Sequence, residues 1–257
     1  MSDRSRQEPP QTRRARRAAE RKASRQAPAP SGRSPIIWIT GAALLAGVVL
    51  LVVLIFVNQP AGGVALTPPN DLTPTELADG RSVGAADAPV TLEVWADFQC
   101  PGCGIFTRAT EARLMREYVT DGKLRLLFHD FAFIGEESVQ AAIAARAAGT
   151  QDAFWPYHDW LFANQDGEND GAFRREVLLA IADELGLDRA AFEASLDDPA
   201  LAAAVADETA AGRDVPVPGT PTLVLNGQTL SGVPSWDELA ALIDAGIEAA
   251  SGASPAP

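Results

Sequence analysis

The feature that most constrains this chain is the segment Cys100-Pro101-Gly102-Cys103, which contains its only two cysteines. An apolar run at residues 90–96 precedes the segment and is typical of a buried strand. Residues 106–118 follow it with apolar side chains at helical spacing. The sequence therefore predicts a strand that delivers Cys100 to the start of a helix, where free backbone N–H groups and the helix dipole stabilise a thiolate.

Two cysteines at this spacing have three interpretations. In the first they are a redox-active pair, because the thiolate is the reactive form and a thiol one turn later can close a disulfide. In the second they are half of a zinc site, but the chain offers only His129 and His158 as further nitrogen or sulfur ligands. In the third they form a small structural disulfide. The position of Cys100 at a helix start favours the redox interpretation.

Charge is distributed unevenly along the 257 residues, whose net charge is −13. Residues 1–35 contain ten Arg or Lys residues and three acids, so they carry +7 and the rest of the chain carries −20. An acidic main body argues against nucleic acid as its partner. The basic segment has almost no large apolar residues and cannot bury a core, so we expect it to be a disordered cytoplasmic tail.

Residues 36–57 are the dominant apolar run, 22 residues without a charge. A helix of this length spans about 33 Å, which is enough for the hydrocarbon core of a bilayer. The positive-inside rule then places the N-terminus in the cytoplasm and the rest of the chain outside. A cleaved signal peptide is the competing interpretation, although its apolar region is normally shorter. We therefore expect a single-pass protein of the cell membrane, with the Pro/Gly-rich residues 58–82 as a linker.

The globular part is predicted to span residues 83–250, followed by a disordered tail at residues 251–257. A second apolar run, residues 124–128, indicates a strand that pairs in parallel with the first across the intervening helix. Helical spacing then continues through about residues 135–212 and predicts an all-helical block. The aromatic run at residues 154–162 is interpreted as part of its core.

The C-terminal part of the globular region combines a hairpin with a helix. Residues 222–225 read as a strand, and Asn226-Gly227 is a strong signal for a type I′ hairpin turn. Ser235 and Glu238 form a capping box that predicts the start of a last helix.

In this order, the elements and motifs resemble the DsbA-like branch of the thioredoxin superfamily, in particular its membrane-anchored bacterial members. The resemblance covers about residues 83–250. It implies an α/β protein with a thioredoxin fold and an inserted all-helical subdomain, preceded here by the basic tail and one transmembrane helix. The motifs that carry it are Asp87-Ala88-Pro89-Val90-Thr91, Asp97-Phe98-Gln99-Cys100-Pro101-Gly102-Cys103, Phe128-His129-Asp130-Phe131 and Gly219-Thr220-Pro221-Thr222.

The resemblance implies roles for individual residues. Cys100 would be the exposed attacking cysteine and Cys103 the buried resolving one. Pro221 would follow a cis peptide bond and pack beside the sulfurs, with Thr220 touching the substrate backbone. A cis proline has no N–H and presents a fixed extended edge to a peptide. The intervening dipeptide, Pro101-Gly102, completes the expected substrate-binding set.

Two departures from the family pattern affect the expected chemistry. Relatives often carry a buried acid six residues before the first cysteine, where this chain has Val94, and the neighbouring Glu93 is the candidate proton relay. Strand alternation should point Glu93 to the other face of the sheet unless a bulge re-aims it. No histidine lies between the cysteines, so the electrostatics of the helix end must contribute more to stabilising the thiolate. His129 and His158 lie outside the active motif and are expected to be structural.

The function that the resemblance implies is thiol–disulfide exchange outside the cytoplasm. No cofactor is expected beyond the Cys100–Cys103 disulfide itself, and no metal. The expected partners are exported cysteine-containing proteins and a quinone-linked membrane oxidoreductase that reoxidises the pair. An oxidase is favoured because disulfides persist outside the cytoplasm. A reductase or isomerase, and a membrane-tethered peptide-binding module with a structural disulfide, are the alternatives.

Overall fold

The structure is a computed structural model that describes residues 44–50, 64–214 and 217–252. The chain divides into two units, Met1–Gly62 and Gly63–Pro257. Within the first unit, residues 44–50 are helical and exposed. Among the described residues, no helix combines the length and apolarity needed to cross a membrane. The predictions for the basic tail, for most of the apolar run and for the last five residues lie outside the described ranges.

A six-stranded sheet forms the centre of the second unit. β3 is the central strand, pairing in parallel with β4 and antiparallel with β5, and every other pair of neighbours is antiparallel. The parallel pair confirms the predicted strand–helix–strand unit. In sheet order the strands are β1 (Ala78–Asp79), β2 (Ser82–Val83), β4 (Leu124–Asp130), β3 (Val90–Ala96), β5 (Thr222–Leu225) and β6 (Gln228–Thr229).

The helical segment that joins β3 to β4, called α1, contains two π-helical turns. Such turns occur often at functional sites. Leu114, Met115 and Val119 of α1 are buried in the main core with the apolar side chains of the sheet. In chain order α1 consists of Pro101–Phe106 (α), Thr107–Glu111 (π), Ala112–Leu114 (α) and Met115–Val119 (π).

The region between β4 and β5 is helical, as the sequence predicts. Its aromatic run is part of the core: Trp155 and Tyr157 are fully buried. Their polar atoms are satisfied, since Trp155 Nε1 donates to the Ser82 carbonyl at 3.0 Å and Tyr157 Oη donates to the Leu178 carbonyl at 2.8 Å. The helices are α2 (Glu136–Gly149), α3 (Phe154–Ala163), α4 (Arg175–Glu184), α5 (Arg189–Leu196) and α6 (Pro199–Asp214).

The predicted hairpin and final helix are both confirmed. Asn226 and Gly227 have φ of 48° and 81°, the positive values that a type I′ turn requires at both central positions. The Ser235 backbone N–H donates to the Glu238 carboxylate at 2.9 Å, which is one half of the capping box. The helix that follows, α7, spans Trp236–Gly252.

The domain begins earlier than the predicted boundary near Val83. Val64 and Leu66 pack against the main core, and β1 and β2 join the sheet. Thr73 donates to Asp159 on α3 through its backbone N–H at 2.7 Å and its hydroxyl at 3.1 Å. Residues 64–82, most of the predicted linker, are therefore part of the folded domain. A Pro- and Gly-rich composition argues against long helices and strands, but it does not prevent a segment from packing.

Candidate active site

Local chain geometry places Cys100 at the start of α1. Cys100 is the N-cap residue, with extended backbone angles (φ −68°, ψ 119°), and Pro101 occupies the first helical position, where its missing N–H costs nothing. The Gly104 N–H donates to the Cys100 carbonyl at 3.1 Å, which is the first hydrogen bond of the helix. The Cys100 sulfur is thus next to backbone N–H groups that have no partner within the helix.

The surroundings of Cys100 favour its thiolate. The pKa of Cys100 is lowered to about 6, first by a hydrogen bond from the Cys103 thiol and then by Thr220 and the backbone N–H groups of Cys103 and Gly102. Partial burial opposes this shift without cancelling it. In the thiol form, Cys100 Sγ donates to the Thr220 carbonyl at 3.3 Å. Near neutral pH this sulfur is therefore largely ionised.

Cys103 has the opposite chemistry. Its side chain is 1% exposed, and burial raises the pKa of Cys103 far above its ordinary value. The neighbouring Cys100 sulfur raises it further. Both cysteines are free thiols in this structure. The pair therefore consists of one accessible thiolate and one enclosed thiol that hydrogen-bonds to it.

The loop before β5 lies against this pair. The Thr220–Pro221 peptide bond is cis, which confirms the expectation from the family resemblance. A Cβ built on Gly102 would lie 3.5 Å from Pro221 Cδ and 3.6 Å from Cys100 Sγ. The structure thus brings together five of the predicted site residues: Cys100, Cys103, Gly102, Thr220 and Pro221. The remaining member of the predicted substrate-binding set, Pro101, is exposed.

Glu93 lies on the other face of β3. Its Oε2 is 3.1 Å from His129 Nε2, while the adjacent Val94 is in the same core cluster as Cys103. β3 pairs without a bulge from Val90 to Ala96, so nothing re-aims the Glu93 side chain. The structure therefore does not bring the candidate proton relay to the cysteines.

Comparison with known proteins agrees with this geometry. The thioredoxin family model matches residues 76–245. A probable disulfide bond formation protein D of Bacillus cereus is 30% identical over 168 residues, which are 64% of this chain and 77% of that protein. The chain belongs to the DsbA-like branch of the thioredoxin superfamily. It is a thiol–disulfide oxidoreductase.

Two further proteins are similar to this chain, one in fold and one in sequence. The crystal structure of oxidised BdbD from Bacillus subtilis is similar in fold to this oxidoreductase, with a TM-score of 0.62 and 21% identity over 72% of this chain and 99% of that chain. The Na(+)/H(+) antiporter NhaA 1 of Salinispora arenicola is 35% identical over 163 residues, which are 62% of this chain but 24% of the antiporter.

A buried carboxylate that the sequence analysis did not single out organises the turn before Cys100. Asp97 Oδ1 accepts from the Gln99 N–H at 2.8 Å and from Ser138 Oγ at 2.6 Å. Its Oδ2 accepts from the N–H groups of Phe133 and Ile134 at 2.9 and 3.1 Å. The bond to Gln99 is a local Asx turn, which an Asp directly after a strand could have suggested. The other three bonds join distant segments and have no local signal.

Gln165 is a second contact that the sequence did not reveal. It follows α3 and donates from Nε2 to the carbonyls of Phe98 and Cys100, both at 2.8 Å. Its separation from the cysteines along the chain leaves no pattern that could have identified it.

The two histidines are both held by carboxylates. His129 Nδ1 lies 2.8 Å from Glu208 Oε1, and His158 Nδ1 lies 3.0 Å from Asp159 Oδ1. In the part of the chain that the structure describes, Glu111, His158 and Asp159 are close enough to hold a metal ion, with atoms within 4.8 Å of one another. Hydrogen bonds from Thr73 and His158 satisfy Asp159, whereas Glu111 Oε2 and His158 Nε2 are buried without a hydrogen-bond partner.

Proposed function

We propose that this oxidoreductase is an oxidase that introduces disulfides into exported proteins. The observation that carries the proposal is the contrast between the two sulfurs, with the pKa of Cys100 lowered to about 6 and that of Cys103 raised. A stabilised thiolate favours the dithiol form of the protein, and a pair whose dithiol form is favoured is a stronger oxidant. The similarity to proteins named for disulfide bond formation supports the same direction.

The reaction starts from the oxidised Cys100–Cys103 pair. A substrate thiolate attacks the Cys100 sulfur and the Cys100–Cys103 bond breaks, so that Cys103 leaves with the electron pair and takes a proton. A second substrate thiolate then attacks the substrate sulfur of the mixed disulfide and releases Cys100. Because the pKa of Cys100 is low, its thiolate is a good leaving group in this step. The substrate is oxidised by two electrons and the protein becomes a dithiol.

The dithiol must be reoxidised before the next cycle. A quinone-linked membrane oxidoreductase would accept its two electrons. We further propose that residues 36–57 anchor the protein in the cell membrane with the catalytic domain outside. Their uncharged length and the basic flank at residues 1–35 support this orientation. The anchor would hold the cysteine pair close to both the oxidant and newly exported clients.

The deciding experiment is the equilibrium of the full chain with reduced and oxidised glutathione. An oxidase is expected to have a potential more oxidising than about −200 mV, and its dithiol form should resist denaturant better than its disulfide form. A strongly reducing potential would identify a reductase instead. If the pair did not exchange at all, and Cys100→Ser left function intact, the protein would be a peptide-binding module with a structural disulfide.

A further inference from the structure

Both N–H donors of the Gln165 carboxamide are engaged with the active-site turn. A primary amide carries two N–H donors, and Gln165 Nε2 directs them at two carbonyls, those of Phe98 and Cys100, at 2.8 Å each. These carbonyls lie on either side of Gln99, in the short connection between β3 and α1. One side chain from the helical subdomain therefore fixes two peptide groups of the connection that carries Cys100.

The bond to the Cys100 carbonyl acts on the helix start itself. That carbonyl also accepts the Gly104 N–H, the first hydrogen bond of α1. Fixing this peptide group fixes the direction in which the helix leaves Cys100. That direction in turn places the N–H groups of Gly102 and Cys103 next to the Cys100 sulfur.

The absence of a side chain at Gly104 leaves room for the side chain of Gln165. A Cβ on Gly104 would lie 2.2 Å from Gln165 Oε1 and 2.8 Å from Arg108 Nη1. The backbone at Gly104 is ordinary α-helix, in which glycine costs about 1 kcal/mol relative to alanine. The space that Gln165 occupies supplies a reason for glycine here. Arg108 adds a parallel connection, since its Nη1 donates to the Phe162 carbonyl on α3 at 2.8 Å.

We propose that Gln165 is a positioning residue for thiol–disulfide exchange, which holds the Cys100 sulfur within reach of the backbone N–H groups at the start of α1. The competing interpretation is that Gln165 only ties the helical subdomain to the sheet. The two interpretations predict different effects of removing Gln165. A residue that only connects the helical subdomain to the sheet affects stability, whereas a positioning residue also affects the pKa of the Cys100 sulfur.

The test replaces Gln165 by Met in the full chain, which keeps the bulk of the side chain and removes both donors. The rate of alkylation of the reduced protein is measured against pH, together with its equilibrium with glutathione. The midpoint of the alkylation profile is expected to rise by about 0.5–1 pH unit, the size of one hydrogen bond. The glutathione equilibrium should move toward the disulfide form by about three- to tenfold.

Gln151→Met is the matched control. The Gln151 amide also binds backbone, since it donates to the Asp188 carbonyl at 3.2 Å and accepts from the Asp188 N–H at 2.8 Å. Asp188 lies in a connection between two helices and not in the active-site turn. This variant should leave both measurements unchanged. A Gln165→Met protein that loses stability yet keeps the wild-type midpoint and equilibrium would overturn the proposal.

A second variant covers the case in which Gln165→Met fails to fold. Gly104→Ala leaves Gln165 in the chain but puts a methyl group where its Oε1 lies, and alanine favours the helix. The same upward shift of the alkylation midpoint is expected. An unchanged midpoint in folded Gly104→Ala protein counts against the proposal.

Discussion

An ionisable group lies near the carboxyl end of each of the parallel strands β3 and β4, and the two groups are stabilised by different means. After β3, the Cys100 sulfur is stabilised by a thiol and by backbone N–H groups. At the end of β4, burial opposes ionisation of Glu208, but contacts with His129, Arg81 and Arg146 outweigh it and lower the pKa of Glu208 to about 2.

The difference shows what each kind of partner provides. His129 and the two arginines lower the pKa of Glu208 to about 2, so its charge is present throughout the neutral pH range. Neutral donors move the Cys100 pKa only to about 6, so its charge exists near neutral pH and is given up when the disulfide forms. A catalytic anion has to be of the second kind, because the reaction consumes and regenerates it.

The largest effect is expected at the charge of Glu208. Glu208→Gln would leave Arg81 without a carboxylate and Arg146, whose side chain is only 14% exposed, with Asp130 alone. Breaking a buried ion pair from one side costs about 3–5 kcal/mol. Urea denaturation at neutral pH measures the loss, and the Cys100 alkylation profile of the variant should stay in place.

Glu117→Gln is the control for this experiment. It removes an ion pair with Arg113 in which both side chains are more than 40% exposed, and such a pair contributes at most about 1 kcal/mol. If both variants lose equally little stability, the charge at Glu208 is not structural and the contrast with Cys100 disappears.

The next effect concerns the neutral donors. The Cys103 thiol is the largest cause of the lowered Cys100 pKa, so Cys103→Ala should raise that pKa from about 6 toward the ordinary value of a cysteine, by more than any other single donor removed. Alkylation rate against pH reports the shift. Cys103→Ser retains an O–H donor and should keep most of the lowering; identical profiles for the two variants would show that the thiol is not the donor that matters.

A third buried acid, Glu111, receives less stabilisation of its charge from its neighbours. Burial raises the pKa of Glu111 to about 7, although His158 Nε2 lies 3.8 Å away and partly offsets this. Folded Glu111 retains its proton between about pH 4.5 and 7 while the unfolded chain releases it, so stability falls as pH rises through this window. Glu111→Gln should reduce the loss between pH 5 and pH 8 by about 1–3 kcal/mol, as measured by urea denaturation. An equally steep loss in the variant would assign the pH dependence to other groups.

The smallest effect is the pH dependence of the redox states. The thiolate contribution to the dithiol form is complete above about pH 9 and disappears as pH falls through about 6, because folding lowers the Cys100 pKa. The difference in melting temperature between dithiol and disulfide forms should therefore grow from pH 5 to pH 8. Glu208, Glu111 and His158 are present in both forms and cancel from this difference. A constant difference would mean that Cys100 is not ionised in the folded dithiol.

Local patterns in the sequence were sufficient for much of the fold. Alternating and continuous apolar runs indicated β3, β4 and β5, and Asn226-Gly227 with the Ser235 capping box located the last turn and helix. Alternation along β3 also indicated the side of the sheet on which Glu93 lies. Each of these signals depends on residues that are close together in the chain.

The remainder depends on contacts between distant residues. The packing of residues 64–82, three of the four bonds to Asp97 and the reach of Gln165 to Cys100 connect segments tens of residues apart. A glutamine in a loop has no periodicity or turn chemistry that marks its partner. The cysteines could therefore be assigned from the sequence, whereas the side chains that orient them could not.

The early start of the domain also determines where mechanical tension would enter it. Thr67 exchanges two hydrogen bonds with Asn164, at 2.7 and 2.9 Å, and Thr73 makes two more with Asp159. A pull on the N-terminal chain would therefore strain the end of α3 before it strained the sheet. Asn164 precedes Gln165, so tension carried by these bonds would reach the residue that holds the Cys100 turn.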